Sequence, residues 1–565
     1  MPMARNPASA FPPRRPVSYV VALAVVAAGS GIAAPPDVAP PRVRASVDVT
    51  VLDLDVVATK DGRPVTDLRK EEVIVKVAGK VLPIDLFTRV AGARIVANSD
   101  GTSPSPATGP AGAPPPDAVV PRQFLFYFDD ARLLPWQRPP VLEGLRAFVA
   151  RFGPTDEASV VSYNGATNVL VPFTSSREKL LGAFDQLAKI APKGFARERE
   201  LRAAIAAVDQ EARLQRTRGR GGAPSDLTDS IVRRYSEEER VRSRSGLQEL
   251  RRTISALAGR PGRRRMLLVT TGWEGIPGQT LSQMAWGRST PRQFDTTLRR
   301  ELDALLVAAN RSGVSVDVVD AMGFAGEHDP EERELREVGT WVAFLNRLPG
   351  MTTLAESTGG TFVEHANSYA AGLETLWRDA SDWYSVGVTL PEALPEGKVA
   401  RVSLSCTRPG VSLRTRASVG ARSDAEAARD VAESALLSPA TASAFVVGLE
   451  LGTPRADGAL SRRRATPWRL LVPARELTFG DDGELRSAVV EVTFAAVDEA
   501  GGRSDLAPQR HTISVPASRF GEIGAREVPI EGLLRTRSGR HRVVVTVRDV
   551  ASGRTAVASA PLVDD

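Results

Sequence analysis

The residues best placed to do chemistry are Asp129 and Asp130. They follow directly on Phe124-Leu-Phe-Tyr-Phe128, an unbroken apolar run that reads as a strand buried on both faces. Carboxylates at the C-terminal end of such a strand sit where open α/β sheets bind ligands. A hard cation bound there would want further oxygen donors beside the acids. The chain instead offers Ala131, Arg132 and Leu133. Other chemistry lacks its signature. There is no Gly-x-Ser-x-Gly elbow, no phosphate-binding Gly-x-x-x-x-Gly-Lys loop and no His-Glu-x-x-His pair. Cys406 is the sole cysteine, which excludes an intramolecular disulfide and a multi-cysteine zinc site.

The elements that must hold these acids follow from hydrophobic period. From residue 122 strands alternate with helices: Ala158 to Tyr163, Asn168 to Pro172, Arg265 to Thr270 and Val314 to Val319 read as strands. Pro139 to Phe152, Ser175 to Ile190, Phe294 to Ser312 and Ser368 to Trp383 read as helices, and 196–258 as a long charged helical region broken at Arg218 to Pro224. Repeated β-then-α units predict an α/β fold with a doubly wound, mostly parallel, Rossmann-like sheet. Residues 43–92 read as a small β unit and 93–121, rich in Pro, Gly, Ser and Ala, as a disordered linker. Strands in 384–420 are expected to extend the sheet or pack on it, within an α/β domain spanning 122–420. Residues 421–445 read as helix or linker, taken here as a linker, and 446–565 as a β-sandwich-like domain.

Bulk composition fits this plan. A chain of 565 residues exceeds what one core usually serves, and 42% hydrophobic with 25% charged residues is ordinary for globular protein. The net charge of +6 is spread as interleaved Arg and Glu, so no nucleic-acid partner is expected. Arg5, Arg14 and Arg15 precede the apolar stretch Val17 to Ala28 and the small residues up to Ala34, the pattern of a signal peptide over 1–34. The chain is therefore expected to be exported, periplasmic or extracellular, with a membrane contact only if that segment stays as an uncleaved anchor.

Several segments, in order, resemble one family. They are Asp61-Gly-Arg-Pro-Val65 with Asp67 to Glu72, the strand ending in Asp129-Asp130, Arg146 to Val149, and Pro154-Thr-Asp156 leading to Tyr163. Pro172-Phe-Thr174, Leu354 to Gly360 and Asp382-Trp-Tyr384 complete the set. Over roughly residues 45–420 the chain resembles the exported bacterial proteins related to the von Willebrand factor A domain, of the type abundant in Acidobacteria. The resemblance implies a Rossmann-like sheet with a Mg²⁺-dependent adhesion site: an Asp-x-Ser-x-Ser after the first strand, a Thr on a later loop and an Asp after a further strand. Here Asp129 matches the first Asp. Ala131 and Leu133 replace the serines, the loop near Lys193-Gly194-Phe195 has no Thr, and Thr271 stands at the last Asp position.

These readings lead to one expectation: an exported, non-catalytic protein-interaction or adhesion-type protein with a degenerate metal site. Its partner would be a protein or cell-envelope ligand, met through Asp129, Asp130, Arg132, Trp136, Thr271 and Trp273. No cofactor is expected. The alternatives are a Mg²⁺-dependent adhesin using Asp129 and Asp130, and an exported hydrolase with a Ser-His-Asp cluster assembled from distant segments.

Overall fold

The computed structural model describes residues 50–96, 119–217, 225–286, 298–322, 333–364, 368–392, 394–395, 398–437, 443–457, 463–498, 503–505, 508–523 and 526–564. The expected signal peptide over 1–34 and most of the expected linker lie outside them. Among the described residues no helix is long and apolar enough to cross a membrane.

The described residues open with strands β1 (Thr50–Lys60), β2 (Arg63–Pro64), β3 (Val73–Val77), β4 (Lys80–Leu82), β5 (Ile84–Ala91) and β6 (Arg94–Val96). The Asp61-Gly62 pair turns β1 into β2 with both residues at positive φ, 50° and 72°. Such a turn matches the twist of paired strands. Strand β6 pairs with β5, so the first residues of the expected linker are ordered sheet instead.

Next come β7 (Arg122–Phe128), α1 (Arg138–Val149), β8 (Asp156–Tyr163), β9 (Thr167–Thr174), α2 (Arg177–Lys189), α3 (Gly194–Thr217) and α4 (Asp226–Ala258). They are followed by β10 (Arg263–Thr270), α5 (Gln279–Trp286), α6 (Arg299–Ser312), β11 (Val314–Asp320), α7 (Arg333–Ser357), β12 (Phe362–Val363) and α8 (Ala370–Ser381). The sheet runs β12-β11-β10-β7-β8-β9, and every pairing is parallel except the edge strand β9. Strand β7 is central and buried throughout. Its alternation explains the apolar run: Phe124, Phe126 and Phe128 pack on α1, α2 and α8. Leu125 and Tyr127 face α4, α6 and α7 on the other side. Each such side chain stabilises by about 1.5–3 kcal/mol on burial.

The chain then returns. Strands β13 (Asp382–Leu390), β14 (Val399–Cys406), β15 (Val411–Arg414) and β16 (Ser418–Gly420) do not extend the parallel sheet. Strand β13 lies between β1 and β5, and β14 pairs with β3. The strands before and after the α/β domain thus close one two-layer β unit around Leu54, Val56, Val75, Phe87, Val386 and Val402. Tyr384 locks its centre, its hydroxyl donating to Val65 O at 3.0 Å and accepting from Leu68 N at 3.0 Å. Cys406 is half-buried at the end of β14.

Residues 424–437, within the stretch read as a linker, form helix α9 (Asp424–Leu437). Its Ala432, Ala435 and Leu436 pack on Ala495 and Val544 of the last domain. That domain contains β17 (Gly448–Leu451), β18 (Arg455–Ala456), β19 (Arg463–Pro473), β20 (Gly480–Asp482), β21 (Leu485–Asp498), β22 (Arg503–Asp505) and β23 (Gln509–Pro516). It ends with β24 (Glu527–Arg537), β25 (His541–Asp549) and β26 (Thr555–Leu562). Two antiparallel sheets, one centred on β19 and one on β21 and β25, enclose Trp468, Leu470, Val490, Phe494 and Val545.

Candidate functional site

The loop after β7 is wound tightly by its own backbone. Arg132 N and Leu133 N both donate to Asp129 O, at 2.9 and 3.1 Å, and Ala131 N donates to Tyr163 O at 2.8 Å. The loop before α3 docks against it: Lys193 N donates to Asp130 O at 2.7 Å, and Gly194 N to Leu133 O at 3.1 Å. Only a glycine permits this approach. A Cβ at Gly194 would stand 2.4 Å from Leu133 O and 2.5 Å from Arg132 O.

The two carboxylates are buried and already partnered. Asp129 is 3% exposed. Its Oδ2 accepts from Thr270 Oγ1 at 2.9 Å and lies 3.7 Å from Arg132 Nε. Asp130 binds Arg138 Nη1 through Oδ1 at 2.9 Å and the Ser162 hydroxyl through Oδ2 at 2.5 Å. Arg138 also donates to the carbonyls of Leu187 and Ile190. Burial pushes Asp129 up to about 6 against the opposing pull of Arg132 and Thr270. Burial likewise raises Asp130, opposed chiefly by Arg138.

Arg132 turns inward from this loop. Its Nη2 donates to Glu239 Oε1 at 3.1 Å and to Ser243 Oγ at 2.7 Å, and its Nη1 to Gly272 O at 3.3 Å. The guanidinium lies 5.7 Å from the centre of the Trp273 ring. Arg197 grips the same Glu239 through two bonds, at 2.8 and 3.0 Å. One carboxylate therefore bridges two buried guanidiniums. Burial alone would raise Glu239, yet Arg197 and Arg132 outweigh it and hold the carboxyl well below its ordinary range. Arg132 is lowered by burial, with Glu239 opposing; a guanidinium starts high enough to stay a cation regardless.

Glu239 and Arg197 come from α4 and α3, which close over the ends of the strands. They bury Leu201, Val208, Val232 and Tyr235 against Leu281 of α5. Sequence reading singled out neither Glu239 nor Arg197, nor their partner Ser243. Periodicity carries a signal for them. The buried positions Val232, Tyr235, Ser236, Glu239, Ser243, Gly246, Leu247 and Leu250 form one stripe of α4 at three- and four-residue spacing. Arg197 lies on the matching stripe of α3 with Gly194, Leu201 and Val208.

Of the six residues singled out from sequence, Asp129, Asp130, Arg132, Thr271 and Trp273 are buried. Trp136 alone is exposed, at 52%. Asp129, Arg132 and Trp273 are brought together, whereas Asp130 faces Arg138 and Ser162 instead. Thr270, not Thr271, supplies the hydroxyl to Asp129. Behind Trp273 lie further buried polar atoms, Trp273 Nε1, Glu274 Oε2 and Arg347 Nε, with no hydrogen-bond partner among the described residues.

These residues do not fit a divalent cation. Both oxygens of Asp130 are taken, Ala131 and Leu133 bring no oxygen, and the Arg132 guanidinium already sits against Asp129. Mg²⁺ demands a near-octahedral set of hard oxygens. What the arrangement does provide is rigidity: charge-assisted bonds tie the β7 loop, the β10 loop, α3 and α4 into one block.

No family model matches the sequence, and no curated protein matches it. Solved structures give distant likenesses. The conserved hypothetical protein BatB from Bacteroides thetaiotaomicron aligns at 10% identity over 46% of this chain and 97% of its own, with a TM-score of 0.22. An aerotolerance-related membrane protein from Bacteroides fragilis aligns at 11% identity over 46% of this chain and 98% of its own, with a TM-score of 0.19. The PilB minor pilin from Streptococcus sanguinis aligns at 10% identity over 58% of this chain and 76% of its own, with a TM-score of 0.24. With scores this low, the architecture stands on its own strand order and register.

Proposed function

We propose that the chain is an exported, non-catalytic interaction protein of adhesion type. Its α/β body is read as a von Willebrand factor A-type domain whose metal-dependent site has become a buried salt-bridge cluster. The observation that carries this reading is the Arg132–Glu239–Arg197 bridge. It puts a fixed guanidinium beside Asp129 where a metal-dependent domain would need an ion and free oxygens. The groups at the strand ends are spent on each other, which supports a structural role over a catalytic one.

Contact with a protein or cell-envelope partner would then run through the rim, with the buried acids as its foundation. Trp136, Ile190 and Phe195 are exposed at 52%, 43% and 48%. Trp136 and Ile190 sit on the two loops that Arg138 and Gly194 hold together, and Phe195 lies in the first turn of α3. Aromatic side chains on a rigid support are typical anchors of interfaces.

The test is crosslinking capture from the cell envelope with the wild-type chain, Trp136→Ala and Asp129→Asn. Loss of capture with Trp136→Ala and its retention with Asp129→Asn is the expected result. Capture that depends on added Mg²⁺ would instead favour the metal-dependent adhesin.

A further inference from the structure

Helix α9 leaves a gap where it crosses its neighbours. Between α4, α6, α9 and β21 lies a groove of about 720 Å³. That is within the roughly 300–1,000 Å³ typical of small-molecule sites. Part of its wall is apolar: Ala304, Val307 and Ala308 come at helical spacing from α6, and Ala495 from β21.

The rest is charged, with cations in excess. Arg251, Arg252, Arg311, Arg422 and Arg429 line it against Glu426, Asp430 and Glu433. Several of these charges are already committed. Arg311 is held by Glu426 through bonds of 3.2 and 3.0 Å, and Arg422 by Asp430 at 2.8 Å. Arg252 binds Glu249 at 2.9 Å. Arg251 and Arg429 are exposed and hold no ion pair among the described residues.

A second observation comes from the opposite wall. Thr493 is 2% exposed, and its Oγ1 has no hydrogen-bond partner among the described residues. Buried hydroxyls are rarely left so, because an unmade bond is costly. Alternation on β21 puts Thr493 on the same face as Ala495, which packs against α9. Thr493 therefore lies on the groove side of β21, among the residues that line it.

We propose that this groove binds a small organic anion, with Arg251 and Arg429 holding its oxyanion, the α6 face covering its carbon body and the Thr493 hydroxyl completing one hydrogen bond. The three features select together. An inorganic anion would use the arginines and leave the apolar wall bare, and a neutral hydrocarbon would leave the arginines and Thr493 without partners. A carboxylate pairs with a guanidinium through parallel bonds and suits the cation excess.

The experiment is thermal melting and calorimetric titration of the full chain with adipate and with phthalate, with inorganic phosphate as a separate arm. Saturable stabilisation by at least one dicarboxylate, and little by phosphate, is expected. The exposed-site double variant Arg251→Ala/Arg429→Ala should weaken that binding roughly tenfold or more. Thr493→Val should weaken it a few-fold while leaving the ligand-free melting temperature equal or higher. Absence of saturable binding by both dicarboxylates would overturn the proposal. So would unchanged binding in the double arginine variant, or phosphate binding as tightly as the dicarboxylates.

Discussion

Arg132 and Glu239 are 107 residues apart in sequence and meet at 3.1 Å, with both side chains almost wholly buried. Their bond joins the loop at the end of the central strand to the long helix that covers it. Arg197 holds the other side of the same carboxylate, so removing Glu239 would strand two guanidiniums in the interior.

Glu239→Ala should therefore destabilise the chain by about 3–5 kcal/mol, the cost typical of breaking a buried ion pair from one side. Urea unfolding followed by tryptophan fluorescence measures it. A loss under about 1 kcal/mol would mean that the two arginines find water in the folded state.

Acidity offers a second handle. The folded Asp129 carboxyl titrates at about 6, above its ordinary 3.8, because burial disfavours its charge. The folded chain thus binds this proton more readily than the unfolded one. The group weakens the fold when ionised above pH 6, and that penalty is relieved as pH falls through 6. Asp129→Asn removes the effect. Between pH 7 and pH 5, the stability of the wild type relative to Asp129→Asn should rise by about 1 kcal/mol. Paired urea titrations at the two pH values read it.

The contact between Gly194 and the β7 loop admits no side chain. Gly194→Ala would drive a methyl group into two backbone carbonyls that cannot rotate away. A loss of roughly 1–3 kcal/mol is expected. A melting temperature equal to wild type would show that the loop before α3 can withdraw at no cost.

Divalent cations should leave the fold indifferent. Melting curves in Mg²⁺, in Mn²⁺ and in chelator should superimpose, since ligand binding to the folded state would raise the midpoint. A large upward shift in either metal would contradict the reading of Arg132 as the resident cation.

Trp136→Ala should change stability by no more than about 0.5 kcal/mol, because the side chain is exposed. Its effect should be confined to partner capture. A strongly destabilised variant would reassign Trp136 to packing.

Much of the α/β body could be read from local period. The run Phe124 to Phe128 announces a strand covered on both faces, and Asp129-Asp130 marks its ligand-side end. The destination of the later strands could not be read this way. Periodicity identifies Tyr384 to Leu390 as a strand but carries no information on which distant strand receives it; the β1–β13 register depends on partners far away in sequence. The site was half legible for a similar reason. Glu239 stands in Glu237-Glu238-Glu239-Arg240, a run that reads as a solvated helix face. Only its place on the stripe from Val232 to Leu250 sets it apart from Glu237 and Glu238, which stay exposed.

The pairing of β1 with β13 also dictates an order of assembly. The Ser385 hydroxyl donates to Asp53 across 332 residues, and the whole α/β domain is looped out between the two strands. A chain emerging from the ribosome carries β1 with its central neighbour still unmade, while the intervening domain can already collapse on its own sheet. Closure of the first β unit must wait until β13 and β14 are available, so β1 is secured only after the whole α/β domain has been made.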